Sequence, residues 1–169
     1  PTDIRAEPHS ALTTITEGFL PPVQYRGTAG ASYRHPQEPD FQVDFLTPRT
    51  SDSEDPVTIP QLDVALQPLR FMEFSLEDVQ QATLFAPTGR CVMVTLPAPQ
   101  RYAVHKLLII GERTGPMRAK TSKDLLQSAT LIEYFLDNDP DALGTAWEDA
   151  LKRGPGWRKR ALEGKKALS

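Results

Sequence analysis

The chain has 169 residues, a formal charge of -3 and one cysteine, a length that can bury a core without disulfide or metal staples. A lone cysteine excludes an intramolecular disulfide and a cysteine-based zinc site and points to a reducing, cytoplasmic setting. The mildly acidic balance leaves any hold on nucleotide or nucleic acid to local basic clusters.

No run approaches the roughly 20 apolar residues of a bilayer span, and no charged-then-apolar leader opens the chain, so a soluble protein is expected. Because the first residue is Pro1 and not Met, the visible chain reads as a piece of something longer.

In chain order, short strands are predicted over 23–26, 31–35 and 41–46, separated by turn formers such as Arg26-Gly27-Thr28 and His35-Pro36. Thr50 to Pro56 is acidic and turn-rich, with nothing apolar to bury, and reads as an exposed loop. Leu76, Val79 and Ala82 recur every third residue behind Ser75, a residue type suited to an N-cap, and predict a short helix over 76–82. Strands follow over 84–86 and 91–96 across Thr88-Gly89, and the alternation of the second places Cys91 in the core.

From Pro99 the period changes. Ala103, Val104, Leu107, Leu108 and Ile110 form one helical face up to a break at Thr114-Gly115-Pro116. Thr121 and Asp124 stand at capping-box spacing before a stripe of Leu125, Ala129, Ile132 and Leu136. Asp139-Pro140 starts a third helix carrying Leu143, Trp147, Ala150 and Leu151 inward, and Gly154-Pro155-Gly156 stops it. The layout is α+β, with a β-rich part over 1–97 and a helical cap over 98–169.

Two places can carry chemistry. In Phe41-Gln42-Val43-Asp44-Phe45-Leu46, alternation puts the aromatic residues on one face and Gln42 and Asp44 on the other. Asp44 is then either a solvent-facing acid or a metal-ligating or general-base carboxylate projecting from a rigid strand. Tyr102, Lys106 and Arg113 share a helical face opposite the packed one. Such a face is either an ordinary solvated surface or a cradle for triphosphate oxygens.

The remaining candidates read as structural. His105 falls at the margin of the packed face and His35 at a strand end, both suited to local hydrogen bonds, and no second ligand stands at zinc-site spacing. Arg26 to Gly30 lacks the ending of a phosphate loop and reads as a turn. Trp147 suits a core; Trp157, beside Arg158, Lys159 and Arg160, reads as a surface contact.

Taken in order, Ala31-Ser32-Tyr33-Arg34-His35-Pro36, Val43-Asp44-Phe45-Leu46-Thr47-Pro48, Leu69-Arg70-Phe71, the run Pro97 to Leu107, and Lys120 with Lys123-Asp124-Leu125 resemble a bacterial family of nucleotidyltransferase-fold proteins. That family is related in pattern to nucleotidyltransferase-like toxins of the abortive-infection type. The resemblance implies a mixed sheet in which a Gly-Ser turn and a paired Asp-x-Asp hold Mg2+ and a third acid comes from the next strand. Asp44 matches the third acid. The only candidate for the pair is Asp3, whose partner position holds Pro1, so the sheet is expected to be partly truncated at its N-terminus.

The same resemblance places Lys106, Lys120 and Lys123 near a nucleoside triphosphate, and Arg113 joins them on the basic face. It implies transfer of a nucleoside monophosphate to a hydroxyl on RNA, protein or a small molecule. The incomplete acid set keeps open a second expectation, a non-catalytic module that binds a nucleotide or a protein.

Overall fold

The computed structural model describes residues 7–15, 18–20, 31–38, 40–62, 64–112 and 121–168. The strand expected at 23–26, the turn after it and the break at 114–116 lie outside them. The chain divides into two compact units, Pro1–Arg70 and Phe71–Ser169. The change in sequence character near Pro97 falls inside the second.

The first unit holds α1 (Pro8–Thr14), β1 (Ser32–Arg34), β2 (Gln42–Asp44), β3 (Leu46–Pro48), β4 (Val57–Ile59) and β5 (Val64–Leu69). β1 and β2 pair antiparallel, with Tyr33 opposite Val43. The other three strands form a mixed sheet of order β3-β5-β4, parallel on one side of β5 and antiparallel on the other.

The single strand expected over 41–46 is interrupted at Phe45 because the chain changes partner there. The Phe45 N–H donates to Ala31 beside β1, while its carbonyl accepts from Gln67 of β5. β5 escapes a pattern reading because Pro68 lies within it, yet the ladder needs no donor at that position. Gln67 N–H donates to Phe45, and the Leu69 carbonyl accepts from Arg49 N–H. Tyr33 and Val64 are among the buried residues of this unit, and Tyr33 meets Phe45 edge-on at 5.8 Å. The loop over 50–56 is exposed throughout, as its composition requires.

The second unit begins with α2 (Met72–Leu76), the hairpin β6 (Val79–Phe85) and β7 (Cys91–Pro97), then α3 (Pro99–Glu112), α4 (Thr121–Asn138), α5 (Pro140–Lys152) and α6 (Pro155–Lys166). The helix expected over 76–82 is displaced. Ser75 lies inside α2 and donates to the Met72 carbonyl at 3.0 Å, and Val79 and Ala82 pair with Pro97 and Val94 across the hairpin. Apolar spacing over seven residues fits both periods, and a complementary strand beyond the Gly89 turn decides between them. Cys91 is exposed, against expectation: alternation sorts a strand's faces, but burial needs a second layer, and no residue of either hairpin strand is buried.

α3 is the centre of the helical part. Its predicted face, Ala103, Val104, Leu107, Leu108 and Ile110, is buried. The core joins Phe71 and Phe74 to Val104, Leu108, Ala146, Ala150 and Ala161. α5 is capped by Asp139, which accepts from Ala142 N–H at 3.1 Å.

Two expectations change here. Gly154-Pro155-Gly156 ends α5 but also starts a fourth helix, Pro155 taking the first turn of α6. Trp157 turns inward, edge-on to Phe71 with centroids 4.7 Å apart. On α4 the buried positions are Asp124, Ser128 and Phe135, while Leu136 of the predicted stripe is 60% exposed. The stripe slips because two polar residues turn inward, each with a partner.

Candidate functional site

Asp44 ends β2 on its exposed face, opposite Ser32 of β1. Ser32 Oγ donates to one carboxylate oxygen at 2.6 Å and Gln42 Nε2 to the other at 2.9 Å. The alternation read from sequence therefore holds, with Gln42 and Asp44 together and Phe45 turned to Tyr33 on the other side. Alternation alone sets Gln42 on this face without giving it a role and gives Ser32 none. Their signal was available in the two-residue period for Gln42, but Ser32 depends on a register that no single strand encodes. Two neutral donors fix the carboxylate's orientation, and neither is a cation.

Whether these residues suit a magnesium ion turns on the donor set. Among the described residues, no group of three or more His, Cys, Asp or Glu side chains converges, and the nearest partners of Asp44 are a hydroxyl and an amide. The described residues do not by themselves compose a metal site. Asp3, Arg113 and Lys120 lie outside the described residues.

Lys106 and Lys123 belong to the second unit. Lys106 Nζ donates to Asp124 at 2.6 Å, with the two side chains 17% and 8% exposed, and it lies 5.0 Å from the Tyr102 ring centroid. Burial works against the ammonium charge, but hydrogen bonds with Asp124 and Tyr102 outweigh it, so Lys106 titrates above its ordinary range. Its charge is committed to clamping α3 to α4, beside Ser128, whose hydroxyl donates to the Ala103 carbonyl at 3.0 Å. Lys123, on the first turn of α4, is exposed. The capping-box spacing located the helix start, yet Asp124 extends to Lys106, and Thr121 Oγ1 is buried without a hydrogen-bond partner.

His105 keeps the local role read from sequence. Its Nδ1 donates to the Phe71 carbonyl at 3.0 Å, supporting a residue held in the left-handed region at φ 64°. Burial lowers its pKa to about 4, so the imidazole is neutral at physiological pH. Nearby, Arg101 pairs with Glu77 and Asp149 at 2.8 and 2.9 Å and Arg153 bridges the same two acids. Both arginines lie over the Phe74 ring. The hydrogen bond from Arg153 holds the Glu77 carboxyl below its usual range. With two positive and two negative groups mutually paired, this cluster fastens helices together. An apolar cavity of about 320 Å³ among α3, α4, α5 and α6 has Lys165 as the one titratable residue in its lining, with no carboxylate or imidazole beside it.

The geometry thus defines an α+β protein with an oriented, exposed strand carboxylate in one unit and a helical bundle with basic residues in the other. A family model described as Nucleotidyltransferase matches residues 1–152, and the chain belongs to that nucleotidyltransferase family. Comparison with curated proteins and with solved structures gives no match. Among the described residues, no helix is long and apolar enough to cross a membrane.

Proposed function

We propose that the chain serves a nucleotidyltransferase that moves a nucleoside monophosphate from a nucleoside triphosphate to a hydroxyl acceptor, with Asp44 acting on the acceptor. The observation that carries this reading is a carboxylate with both oxygens oriented by Ser32 and Gln42 on an exposed strand face, in a chain of this family. A carboxylate so held accepts a hydrogen bond from an incoming hydroxyl and takes its proton as attack begins. The new bond joins the hydroxyl oxygen to the α-phosphorus, the bond to the β-phosphate oxygen breaks, and pyrophosphate leaves with its electron pair. Lys123, with Arg113 and Lys120, is assigned to the triphosphate. Lys106 supports them indirectly by fixing the start of α4 through Asp124. A magnesium ion, as the usual counter-charge of a triphosphate, is part of the proposal.

The test uses triphosphates labelled at the α-position, magnesium and a range of hydroxyl acceptors. Asp44→Asn keeps the size of the side chain and removes its charge. Label transfer is expected to fall about 100-fold or more, within the range for loss of a positioned general base, with nucleotide affinity changed less than about twofold. Chelation is expected to abolish transfer and added magnesium to restore it. Transfer indifferent to Asp44→Asn overturns the assigned role.

A second reading has its own support. Among the described residues the acids form no metal-binding group, as suits a module that binds a nucleotide without turning it over. Calorimetric binding of a triphosphate with no transfer to any acceptor decides for the module.

A further inference from the structure

The sequence is acidic overall, yet α6 carries five of the nineteen Lys and Arg residues and one of the twenty-two acids. At 3.6 residues per turn, Trp157, Arg160, Ala161 and Gly164 fall on one side of this helix and Arg158, Lys159, Lys165 and Lys166 within an arc of about 120° on the other. Burial follows the same division. Ala161 and Gly164 are buried, Trp157 and Arg160 are half-buried, and the four other cations are exposed. Arg160 is occupied by an ion pair with Glu112. Among the four, only Lys159 has an acidic partner among the described residues, Glu163 at 4.0 Å, and Lys165, at the edge of the strip, has its Nζ 5.8 Å from the Trp147 ring centroid. Arg158 and Lys159 stand about 10 Å along the helix axis from Lys165 and Lys166. The helix lies beyond the residues matched to the family, so membership accounts for none of this.

We propose that this face of α6 docks the phosphate backbone of an RNA strand. Two pairs of cations in a line on a rigid helix complement a polymer with a negative charge at every residue. A membrane surface suits the strip less well. Interfacial helices sink an apolar face into the bilayer, whereas the apolar side of α6 is packed on α3, Trp157 is turned onto Phe71, and Leu162 is the one large apolar side chain exposed on the helix. The choice of RNA rests on the transferase reading above, since an RNA end offers both phosphates for the cations and vicinal hydroxyls for transfer.

Fluorescence anisotropy of a labelled single-stranded RNA 20-mer with the full chain tests it without requiring catalysis. Four phosphate contacts predict a slope of about -3 in log affinity against log salt. Replacing Arg158, Lys159, Lys165 and Lys166 together by Ala is expected to weaken binding at least tenfold at low salt and flatten the slope, with the helical signal of the folded chain retained. Replacing the three lysines by Arg, or Arg90→Ala in the hairpin turn, is expected to leave both intact. A slope indifferent to the fourfold substitution overturns the proposal, as does loss of binding to anionic vesicles in place of RNA. Label passing to a DNA strand and not to RNA overturns the choice of RNA. RNA binding of the expected kind without any label transfer sinks the transferase reading and not the docking face. Transfer to RNA that survives the fourfold substitution does the reverse.

Discussion

The α3–α6 crossing and the β6–β7 hairpin lie in the same compact unit and use apolar residues in opposite ways. Five residues of α3 are buried, and α6 approaches so closely that a Cβ on Gly164 would sit 2.1 Å from the Leu107 carbonyl oxygen and one on Gly111 would sit 2.1 Å from that of Arg160. The hairpin has seven residues in each strand, none of them charged and none buried. Burial is therefore conferred by the layer that covers an element. A pattern states only which face is ready to be covered.

The largest expected effect breaks the crossing. Gly164→Ala forces the two backbones apart, and we expect a loss of about 3 kcal/mol, at the upper end for overpacking, read as a shift of the chemical denaturation midpoint of the helical signal. Gly111→Ala should behave alike. Gly144 on α5 has nothing within 4 Å of an added Cβ, so the same substitution there should stabilise by about 0.5–1 kcal/mol, the helix preference for Ala. Matching responses at Gly164 and Gly144 would show that backbone contact does not set the distance between α3 and α6.

A smaller effect probes the α3 side of the crossing by pH. Neutral His105 donates to Phe71, and its folded pKa of about 4 lies below the ordinary 6.5. The unfolded chain then binds the proton first on acidification. The contribution is whole above about pH 6.5 and is lost as pH falls from there through about 4. Because part of the side chain still meets solvent, about 2 kcal/mol is expected, less than the full shift implies at 1.36 kcal/mol per unit. The carboxyls of Glu77 and Asp149 are held low and act in a more acidic window. His105→Gln should remove the pH dependence between about 6.5 and 4.5 and leave the part below, where Glu77 and Asp149 titrate.

How far the structure was legible follows from what each residue needs. The buried face of α3, the Asp139 cap and the exposed loop after Arg49 were all readable, because local spacing or composition determines them. Asp44's face was readable from alternation, but Ser32 was not, since it comes from another strand through a register set by both. The inward turn of Asp124 and Ser128 was hidden because apolar counting passes over polar residues, and each is buried only because Lys106 and the Ala103 carbonyl answer it. Trp157 was misread for a similar reason. Its basic neighbours dominate the local sequence, while the helical period that separates it from them requires knowing that Pro155 starts a helix.

The smallest expected effect concerns the hairpin. Phe85 is 76% exposed and Met93 65%, on strands paired from Val79 to Phe85 and from Cys91 to Pro97. An isolated two-stranded sheet is marginal in water, and its long uncharged edges lack the lysines that usually blunt such strands. Phe85→Ser removes contacts made mostly with solvent, and Met93→Ser removes beyond these the contact its sulfur accepts from Thr83 Oγ1 at 3.2 Å. Each should change stability by less than about 0.5 kcal/mol, the range of surface substitutions, while lowering aggregation at high protein concentration. Leu108→Ala, from the fully buried face of α3, should cost several times more, about 2–3 kcal/mol, the lower part of the range for such a core truncation. A cost above about 1.5 kcal/mol at Phe85 or Met93 would place these side chains with core residues on the same scale and erase the contrast between the hairpin and the crossing.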